Sequence, residues 1–361
     1  MTIRVGVVGA GLVAQAMHLH YLAALRDRFE LRALAEPSRT VREALGARYG
    51  IGGLHADYRG LLDAGGLDAV VVCSPAGTHA EVVLAALDAG LHVLVEKPMC
   101  ITLADADAIV AARDRTSRVV QVGTMKRFDP AYERMLDELP ESAASLRYVS
   151  VVVNDPEFEP YFAPGEIVRG TDVPADVIDA TRRAEAEQVE AAVGNGSPDV
   201  VRAFSESFLG SLVHDVNVVH GLLERMGEPL PVEVVAGDWW NEGRAVVGAV
   251  RLANGARWDS AWIQLLDTHS YRETVQLFFA ESVRTLAFPS PWLKQHPTLY
   301  ERSERDAGGN LTHRFERYEE SFARELVHFH RCVAEGEPCR TPPEQARVDI
   351  DVLTRMFLAA R

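Results

Sequence analysis

The sequence predicts an α/β fold class, with an N-terminal doubly wound parallel sheet and a C-terminal α+β domain on a large, open, mostly antiparallel sheet. Through residue 125, short β-branched runs alternate with helical patterns, as in repeated βαβ units. These runs are continuously apolar, which is typical of strands buried on both faces. After residue 125, strand patterns follow one another across short turns. We therefore predict a first domain over residues 1–125 and a second over residues 126–361.

The first domain is predicted to begin with the strand IRVGVVG (3–9), followed by the helix LVAQAMHLHYLAALRDR (12–28). Strands and helices then alternate, which favours a parallel sheet. The later strands are FELRALAE (29–36), LDAVVVCSP (67–75), LHVLVEKP (91–98) and RVVQVGT (118–124), and the later helices are TVREALGARYG (40–50), HAEVVLAALDAG (79–90) and LADADAIVAARDR (103–115).

The second domain is predicted to begin with the strand LRYVSVVV (146–153) and to end with the helix EQARVDIDVLTRMFLAAR (344–361), which can pack back on the first domain. Asn254-Gly255, between two strand patterns, is a strong hairpin signal. No helical pattern separates the later strands, so we expect them to pair antiparallel. They are PVEVVAGDWW (231–240), RAVVGAVRL (244–252), ARWDSAWIQLL (256–266), RETVQLFFA (272–280) and SVRTLAF (282–288).

Composition argues against several kinds of protein. A net charge of −15 argues against nucleic acid and anionic membrane as partners. There is no apolar run of about 18 residues, so we expect no membrane span. The start, MTIRVGVVGAG, has no cleavage-site pattern, so we expect no signal peptide and a cytoplasmic location. The cysteines show neither CxxC nor zinc spacing, so we read them as reduced thiols and expect no metal site. They are Cys73, Cys100, Cys332 and Cys339.

A glycine pattern follows the first strand. Gly9, Gly11 and Ala14 form G-x-G-x-x-A at the start of a helix. Gly9 permits a tight turn, Gly11 lets the backbone approach a pyrophosphate, and the small Ala14 keeps helix and strand close. The strand before the loop and the helix after it are the context of a Rossmann dinucleotide site.

An acidic residue ends the next strand. Glu36 stands where a carboxylate can accept hydrogen bonds from the adenosine ribose, which favours NAD. Ser38 and Arg39 follow and can instead hold the 2′-phosphate of NADP. We expect NAD, with NADP as the open alternative.

A lysine stands at the end of another strand. Glu96, Lys97 and Pro98 end the apolar run LHVLV, and ligands of a doubly wound sheet bind beyond the carboxyl ends of its strands. The preceding strand ends in the small-residue turn SPAGTH (74–79), which suits a cofactor. Pro98 fixes the backbone after the lysine, and a cis bond would aim the lysine sharply. The alternative is a solvated strand-end lysine.

These segments resemble one family. GAGLVA, the strand-end acid and SPAGTHAEVVLAALDAGLHVLVEKPM are similar to the glucose-fructose oxidoreductase / inositol dehydrogenase / MocA (Gfo/Idh/MocA) family. The likeness covers the first domain closely, extends to QVGTMKRFDPAY (121–132), and continues loosely through the second domain.

The resemblance implies that Lys97 lies near the nicotinamide and stabilises the developing alkoxide of the substrate, while Glu96 positions it. Motif and resemblance together predict one set of cofactor-binding residues. These are Gly9, Gly11, Leu12, Val13, Glu36, Ser38, Arg39, Ser74, Pro75, His79, Glu96 and Lys97.

The resemblance also assigns a histidine. ESFLGSLVHDVNVVHGLLERMGEP (206–229) is predicted as an amphipathic helix, and the family has D-x-x-x-H-x-x-D there, with the histidine as proton acceptor. His214 matches that histidine, but Gly210 and Asn217 stand where the family has aspartates. Asp215 is adjacent and is expected to point elsewhere. A histidine without these partners can still act as a general base near neutral pH.

Four residues are candidates for substrate binding. Lys126 and Arg127 follow the strand RVVQVGT, Asn217 lies near His214, and Tyr271 begins a later strand. Tyr271 and Trp292 can pack on a sugar ring, or can belong to a core or an interface. His18 and His20 lie near the predicted cofactor turns, and nothing beyond spacing supports His220.

An acidic segment follows the first strand of the second domain. Residues 155–200 hold eleven carboxylates against three arginines, and PADVIDATRRAEAEQVEAAVG (174–194) within them is predicted as a surface helix. We expect the segment, extended to 155–205, to cover the substrate cleft, to reach a partner subunit, or to be a solvated insertion. The carboxylates are Asp155, Glu157, Glu159, Glu166, Asp172, Asp176, Asp179, Glu185, Glu187, Glu190 and Asp199.

The predicted function is an NAD(P)-dependent oxidoreductase acting on a secondary alcohol or ketone of a sugar, sugar derivative or cyclitol. His214 would take the hydroxyl proton and Lys97 would stabilise the alkoxide. Two alternatives are a redox-neutral glycoside cleavage or elimination with tightly bound NAD, and a non-catalytic dinucleotide-binding regulator. The resemblance implies a homodimer or homotetramer formed through the open face of the second sheet.

Overall fold

The structure is a computed structural model that describes residues 1–156, 158, 161–163, 165–230, 233–268 and 270–360. Glu157 and Glu159 of the acidic segment lie outside the described residues. So do Pro231 and Val232, at the start of a predicted strand, and Arg361, at the end of the last predicted helix.

By packing, the chain forms two units, neither of which is one continuous stretch. Only the first break, between Thr124 and Met125, falls next to the predicted boundary; the acidic helix and part of the C-terminal region pack with the first unit. The first unit is Met1–Thr124, Phe162–Ala192 and Phe322–Arg347, and the second is Met125–Tyr161, Val193–Ser321 and Val348–Arg361.

The first unit contains the predicted parallel sheet. Its six described strands have the order β3-β2-β1-β4-β5-β6, and every neighbouring pair is parallel. The order reverses between β1 and β4, as in other doubly wound sheets. The strands are β1 Ile3–Val8, β2 Phe29–Ala35, β3 Gly53–His55, β4 Ala69–Val72, β5 His92–Glu96 and β6 Val120–Gly123.

The second unit contains an eight-stranded sheet in the described chain, with the order β14-β13-β12-β11-β7-β10-β9-β8. Its pairs are antiparallel except β7 with β10, so the predicted, mostly antiparallel sheet is confirmed. The strands are β7 Leu146–Asp155, β8 Glu233–Trp240, β9 Ala245–Arg251, β10 Arg257–Gln264, β11 Arg272–Phe279, β12 Ser282–Phe288, β13 Leu299–Asp306 and β14 Gly309–Glu316.

The predicted helices are present, and four further α-helices are described: the short α3, α6 and α8, and the longer α10. A π-helical turn, Ala14–His18, precedes α1, and a π-helical stretch, Arg202–Leu212, precedes α9. The α-helices are α1 Leu19–Ala24, α2 Arg39–Tyr49, α3 Tyr58–Ala64, α4 Ala76–Asp88, α5 Leu103–Thr116, α6 Pro130–Glu138, α7 Ala175–Val193, α8 Pro198–Val201, α9 Val213–Arg225, α10 Ser321–Glu335 and α11 Pro343–Leu358.

The core of the first unit explains why part of the C-terminal region belongs there. β1 and β4 place fully buried valines such as Val5 and Val71 in the middle of the sheet. Leu326 and Phe329, one turn apart on α10, are also fully buried in this core. Burying each such side chain contributes roughly 2 kcal/mol, which holds α10 on the first sheet.

Strands β13 and β14 were not predicted, because polar and charged residues predominate in both. Their residues read LYERSERD and GNLTHRFE, without an apolar alternation. Charged pairs across the strands replace it, such as Arg314 Nε to Glu301 Oε1 at 2.7 Å. Period-two hydrophobicity marks a half-buried strand, so an exposed edge ribbon does not show it.

The predicted helix that carries His214 is present as the π-helical stretch Arg202–Leu212 followed by α9, and its middle part is enclosed. Every residue from Val213 to Leu223 is buried except His214. Polar side chains on this helix, including Asp215 and Asn217, are enclosed with protein partners in the second unit. A helix buried all round does not show a polar face even when it carries polar residues.

No helix in the described part of the chain is long and apolar enough to span a membrane.

Candidate active site

The backbone of the glycine loop after β1 lies close to the end of β4 at Gly9 and is open at Gly11. Gly9 has a φ of +88°, and a Cβ there would lie 2.6 Å from the Cys73 carbonyl oxygen and the Ser74 amide nitrogen. Only glycine fits this position. A Cβ on Gly11 would have no atom within 4 Å, so its backbone faces open space. Ala14 is buried at the start of the helical segment, as predicted. The loop therefore fits the pyrophosphate of a dinucleotide.

Glu36, directly after β2, accepts a hydrogen bond from the backbone of this loop. Its Oε2 accepts the Ala10 amide at 3.0 Å, and its Oε1 accepts the Ser38 amide at 2.9 Å. Each carboxylate oxygen keeps a further lone pair, so Glu36 can still accept hydrogen bonds from ribose hydroxyls. Arg39 is exposed, and its Nε donates to Glu43 Oε1 at 2.6 Å.

The predicted lysine follows β5, and the Lys97–Pro98 peptide bond is cis. Lys97 is half-buried, whereas Glu96 is buried. His18, fully buried, places its Nε2 2.6 Å from Glu96 Oε1. Burial raises the pKa of Glu96, but the His18 hydrogen bond and the charges of His18, Lys97 and His79 outweigh it and hold the pKa below its usual value. A carboxylate therefore stands beside Lys97.

His79 ties two strand ends together from the first turn of α4. Its Nε2 lies 2.7 Å from the Ser74 carbonyl oxygen, and its Nδ1 lies 2.8 Å from the Pro98 carbonyl oxygen. Burial lowers the pKa of His79 more than these two carbonyls raise it. The structure thus brings Glu96, Lys97, His18 and His79 into one group, which we call the strand-end cluster.

The second unit holds another charged group, which we call the sheet cluster: Lys126, Asp215, Tyr271 and Glu273. Lys126 Nζ donates to Glu273 Oε1 and lies 3.8 Å from Asp215 Oδ1. Tyr271 donates its hydroxyl to Glu273 Oε2. All but Tyr271 are less than a tenth exposed. The predicted substrate ligands Lys126 and Tyr271 therefore meet on one carboxylate.

Burial and close contact shift the pKa values of three groups in the sheet cluster. Burial, with the neighbouring Glu273, raises the pKa of Asp215 well above its usual value, although Lys126 opposes the shift. Burial disfavours the charged form of Lys126, but the Asp215 and Glu273 carboxyl groups raise its pKa above the usual value. Burial and Glu273 also raise the pKa of Tyr271. The pKa values of all three groups are therefore shifted upward.

Arg127 and Asn217, the other predicted substrate ligands, are both buried in the second unit. Arg127 Nη1 donates to the Asn217 carbonyl oxygen at 3.3 Å. Asn217 Nδ2 donates to Asp349 Oδ2 at 2.6 Å, and His220 Nδ1 lies 2.7 Å from Asp349 Oδ1. Asp349 thus holds the side chains of Asn217 and His220. Contact of Arg127 or Asn217 with a substrate stays a prediction.

The π-helical stretch before α9 explains the missing aspartate upstream of His214. Gly210 lies in that stretch, and a Cβ there would lie 2.9 Å from the Ser205 carbonyl oxygen, five residues earlier. A side chain at Gly210 has no room, and the spacing of an α-helix does not hold across a π-helical turn. Such turns occur frequently at functional sites.

Several residues of these clusters were not predicted. Glu273 had a signal in the sequence, because it alternates with Val275 and Leu277 on the buried face of β11. Glu325 is fully buried on α10, where burial and Glu96 raise its pKa well above the usual value. It lies on the same face as Leu326 and Phe329, so an acid in an apolar stripe was the available signal.

A thiol group was also not predicted. His328 and Cys332, one turn apart on α10, meet Cys339, and Cys332 Sγ lies 3.3 Å from His328 Nε2. The Arg340 amide donates to the same Nε2 at 3.0 Å, so the lone pair of this nitrogen is already used.

Comparison with known proteins matches the N-terminal part of the first unit to a family. Residues 3–124 match the family described as "Oxidoreductase family, NAD-binding Rossmann fold", the GFO/IDH/MocA family. Residues 3–124 belong to this family. The predicted resemblance and the predicted NAD-binding Rossmann fold are therefore confirmed.

Curated relatives match mainly this part. Inositol 2-dehydrogenase 2 of Saccharopolyspora erythraea is 41% identical over 150 residues, which is 38% of this chain and 41% of the relative. Inositol 2-dehydrogenase of Paracoccus denitrificans is 32% identical over 167 residues, 45% of this chain and 49% of the relative. The chain spans less than half the length of the curated relatives it matches.

Solved structures match the whole fold. A 3-ketoreductase from Actinomadura kijaniata in complex with NADP has a TM-score of 0.75 at 18% identity, covering 100% of this chain and 98% of that chain. Scyllo-inositol dehydrogenase from Lactobacillus casei, with NAD(H) and scyllo-inositol bound, has a TM-score of 0.71 at 16% identity, covering 100% and 97%. Identities this low support the fold alone.

Proposed function

We propose that this chain is an NAD-dependent dehydrogenase that acts on a secondary alcohol of a cyclitol or sugar. The observation that carries the proposal is the strand-end cluster, in which Lys97 stands beside the buried carboxylate of Glu96. It lies at the carboxyl edge of the doubly wound sheet, where such sheets bind their ligands. Inositol 2-dehydrogenases match the same part of the chain at up to 41% identity.

The first unit would hold the dinucleotide. The Gly9 turn and the open backbone at Gly11 fit the pyrophosphate, and Glu36 fits the adenosine ribose. Ser74 and Pro75, which precede α4, and His79 on its first turn would line the same edge. When bound, the nicotinamide supplies the hydride acceptor for alcohol oxidation.

Lys97 would act on the substrate oxygen. A positive ammonium group near the reacting hydroxyl stabilises the alkoxide that develops as the proton leaves. The Glu96 carboxylate, held by His18, favours the charged form of a neighbouring lysine and fixes its position. Lys97 is half-buried, so part of its surface remains available to a ligand.

His214 would accept the hydroxyl proton. It is the residue between Val213 and Leu223 that is not buried, which supports a role at an accessible surface. The alcohol would lose its hydroxyl proton to this imidazole and its hydride to the nicotinamide, leaving a ketone. Lys126, Arg127, Asn217 and Tyr271 remain the candidate ligands for the other hydroxyl groups.

Activity assays with NAD and a panel of inositol isomers and aldoses test this proposal. We expect reduction of NAD with at least one cyclitol or sugar, and loss of most of that activity in His214→Asn with dinucleotide affinity unchanged. Tightly bound NAD without net NADH production would favour the redox-neutral alternative. NAD binding without any turnover would favour the regulator and contradict the proposal.

We also propose a homo-oligomer formed through the open face of the second sheet. Val152 of β7 is 41% exposed there, and Ala249 and Ala261 of the neighbouring strands lie on the same face. Exposed apolar sheet faces of this kind favour association. Light scattering should give a dimer or tetramer, and a Val152→Glu variant should shift it towards monomer.

A further inference from the structure

Part of the acidic segment packs on the nucleotide-binding edge of the first unit. We call residues 165–172 the strap. Gln15, in the helical turn after the glycine loop, donates from Nε2 to the Val168 carbonyl at 2.9 Å and accepts the Val168 amide at 2.8 Å. Arg48 Nη1 donates to the Glu166 carbonyl at 3.1 Å. The strap is therefore hydrogen-bonded to the helical turn after β1 and to α2.

The strap ends in a carboxylate at the start of α2. Ser38 Oγ donates to Asp172 Oδ1 at 2.5 Å, and the Thr40 amide donates to Asp172 Oδ2 at 2.9 Å. These bonds lower the pKa of Asp172 to about 2, so the group is charged across the working pH range. A Cβ on Gly170 would lie 2.1 Å from Ser38 Oγ, so the strap backbone is seated against this serine.

We propose that Asp172 discriminates against NADP, because its carboxylate occupies the position at the start of α2 that a 2′-phosphate would require. This inference rests on the proposed binding of a dinucleotide to the first unit. It assigns the choice between NAD and NADP to a residue of the acidic segment, more than 130 residues beyond Glu36.

The chemistry of the donors supports this assignment. Ser38 and Thr40 offer a hydroxyl and a backbone amide at a helix N-terminus, which are the groups that hold a phosphate. Asp172 already uses both, and its charge repels a second anion at short range. The 2′-hydroxyl of NAD carries no charge and can bind Glu36, whose oxygens keep further lone pairs.

The test removes the charge and keeps the size of the side chain. Asp172→Asn keeps one oxygen, which can accept the Thr40 amide, and its Nδ2 can donate to Ser38 Oγ. Asp176→Asn on the first turn of α7 is the matched control, since both residues are exposed and each substitution removes one negative charge. Fluorescence titration of the full-length chain would give the Kd for NADH and NADPH with wild type and both variants. Circular dichroism would check that each variant is folded.

We expect Asp172→Asn to lower the ratio of the NADPH Kd to the NADH Kd at least ten-fold, while Asp176→Asn leaves it unchanged. An unchanged ratio in Asp172→Asn would overturn the inference. Equal tightening of both dinucleotides would also overturn it, since the strap would then compete with the whole cofactor. Failure of wild type to bind either dinucleotide would instead contradict the proposed function.

Discussion

The two units each bury a cluster of charge, but they assemble it differently. The strand-end cluster takes Glu96, Lys97 and His79 from consecutive strand–helix turns of a parallel sheet. The sheet cluster takes Lys126, Asp215 and Glu273 from a connecting turn, a buried helix and a strand of an antiparallel sheet. The first cluster follows from a topological rule, since carboxyl ends of parallel strands share one edge. No such rule applies to the second.

The clusters also differ in what their charges can do. In the strand-end cluster, Lys97 is half-buried beside a buried carboxylate, so part of its side chain is exposed to solvent. In the sheet cluster, the Lys126 ammonium is enclosed by Asp215 and Glu273. We infer that the first cluster contributes mainly to chemistry and the second mainly to the stability of its unit.

Replacement of Lys97 should have the largest effect. Lys97→Ala removes the charge that stabilises the alkoxide, so we expect kcat to fall about 10³-fold, comparable to the loss of one oxyanion donor. The Kd for NADH should change less than about three-fold, because the pyrophosphate and ribose contacts remain. Steady-state kinetics and NADH titration measure the two effects. Lys294→Ala, from the second unit, is the control and should retain activity; an active Lys97→Ala enzyme would remove Lys97 from the chemistry.

Breaking the sheet cluster should mainly affect stability. Glu273→Gln leaves buried Lys126 without its closest carboxylate, which should lower the free energy of unfolding by about 3 kcal/mol. Urea denaturation measures the change. Glu301→Gln in the same sheet loses a more exposed pair with Arg314 and should stay within about 0.5 kcal/mol of wild type. Equal effects of the two substitutions would contradict the distinction between buried and exposed pairs.

Glu96→Gln should reveal the charge of the strand-end cluster through pH. A carboxyl group with a lowered pKa adds stability above its unfolded-state pKa of about 4.3, and this contribution disappears as the pH falls through the folded-state pKa. Glu96→Gln should therefore be about 2 kcal/mol less stable than wild type at neutral pH. The difference should shrink in acid. Urea midpoints across this pH range measure it, and a difference that grows in acid would show that Glu96 is protonated in the fold.

Gly210→Ala gives the smallest effect and tests the π-helical stretch. Alanine normally stabilises a helix relative to glycine by up to about 1 kcal/mol. Here a Cβ would lie 2.9 Å from the Ser205 carbonyl oxygen, so we expect a loss of about 1 kcal/mol. Gly60→Ala in α3, where the nearest atoms lie at 3.6 Å, should be neutral or stabilising. Thermal melts compare the two, and stabilisation by both would contradict the packing at Gly210.

The same contrast explains what the sequence could predict. In the first unit, Gly9, Glu36 and Lys97 were predictable, because each follows an apolar strand whose end has a known place in the sheet. Asp172 was not predictable, since it reaches Ser38 from a segment that follows β7 in the chain. Nothing in the local pattern of residues 165–172 indicates where that segment packs.

In the second unit, the sequence indicated most strands but few of their contacts. It pointed to Lys126 and Tyr271, yet not to the carboxylate of Glu273 that joins them. The prediction for His214 relied on α-helical spacing, and the π-helical stretch through Gly210 changes that spacing. Side-chain partners that lie on separate antiparallel strands and helices depend on tertiary packing, which periodicity does not report.

Titration of the purified, full-length chain with NADH tests the central claim most directly. We predict saturable binding by the wild type and a loss of binding in Gly9→Val, because a side chain there would strike the Cys73 carbonyl and the Ser74 amide. Circular dichroism must show the variant to be folded. Absence of NADH binding in the wild type, or equal binding by a folded Gly9→Val variant, would contradict the assignment of the dinucleotide site.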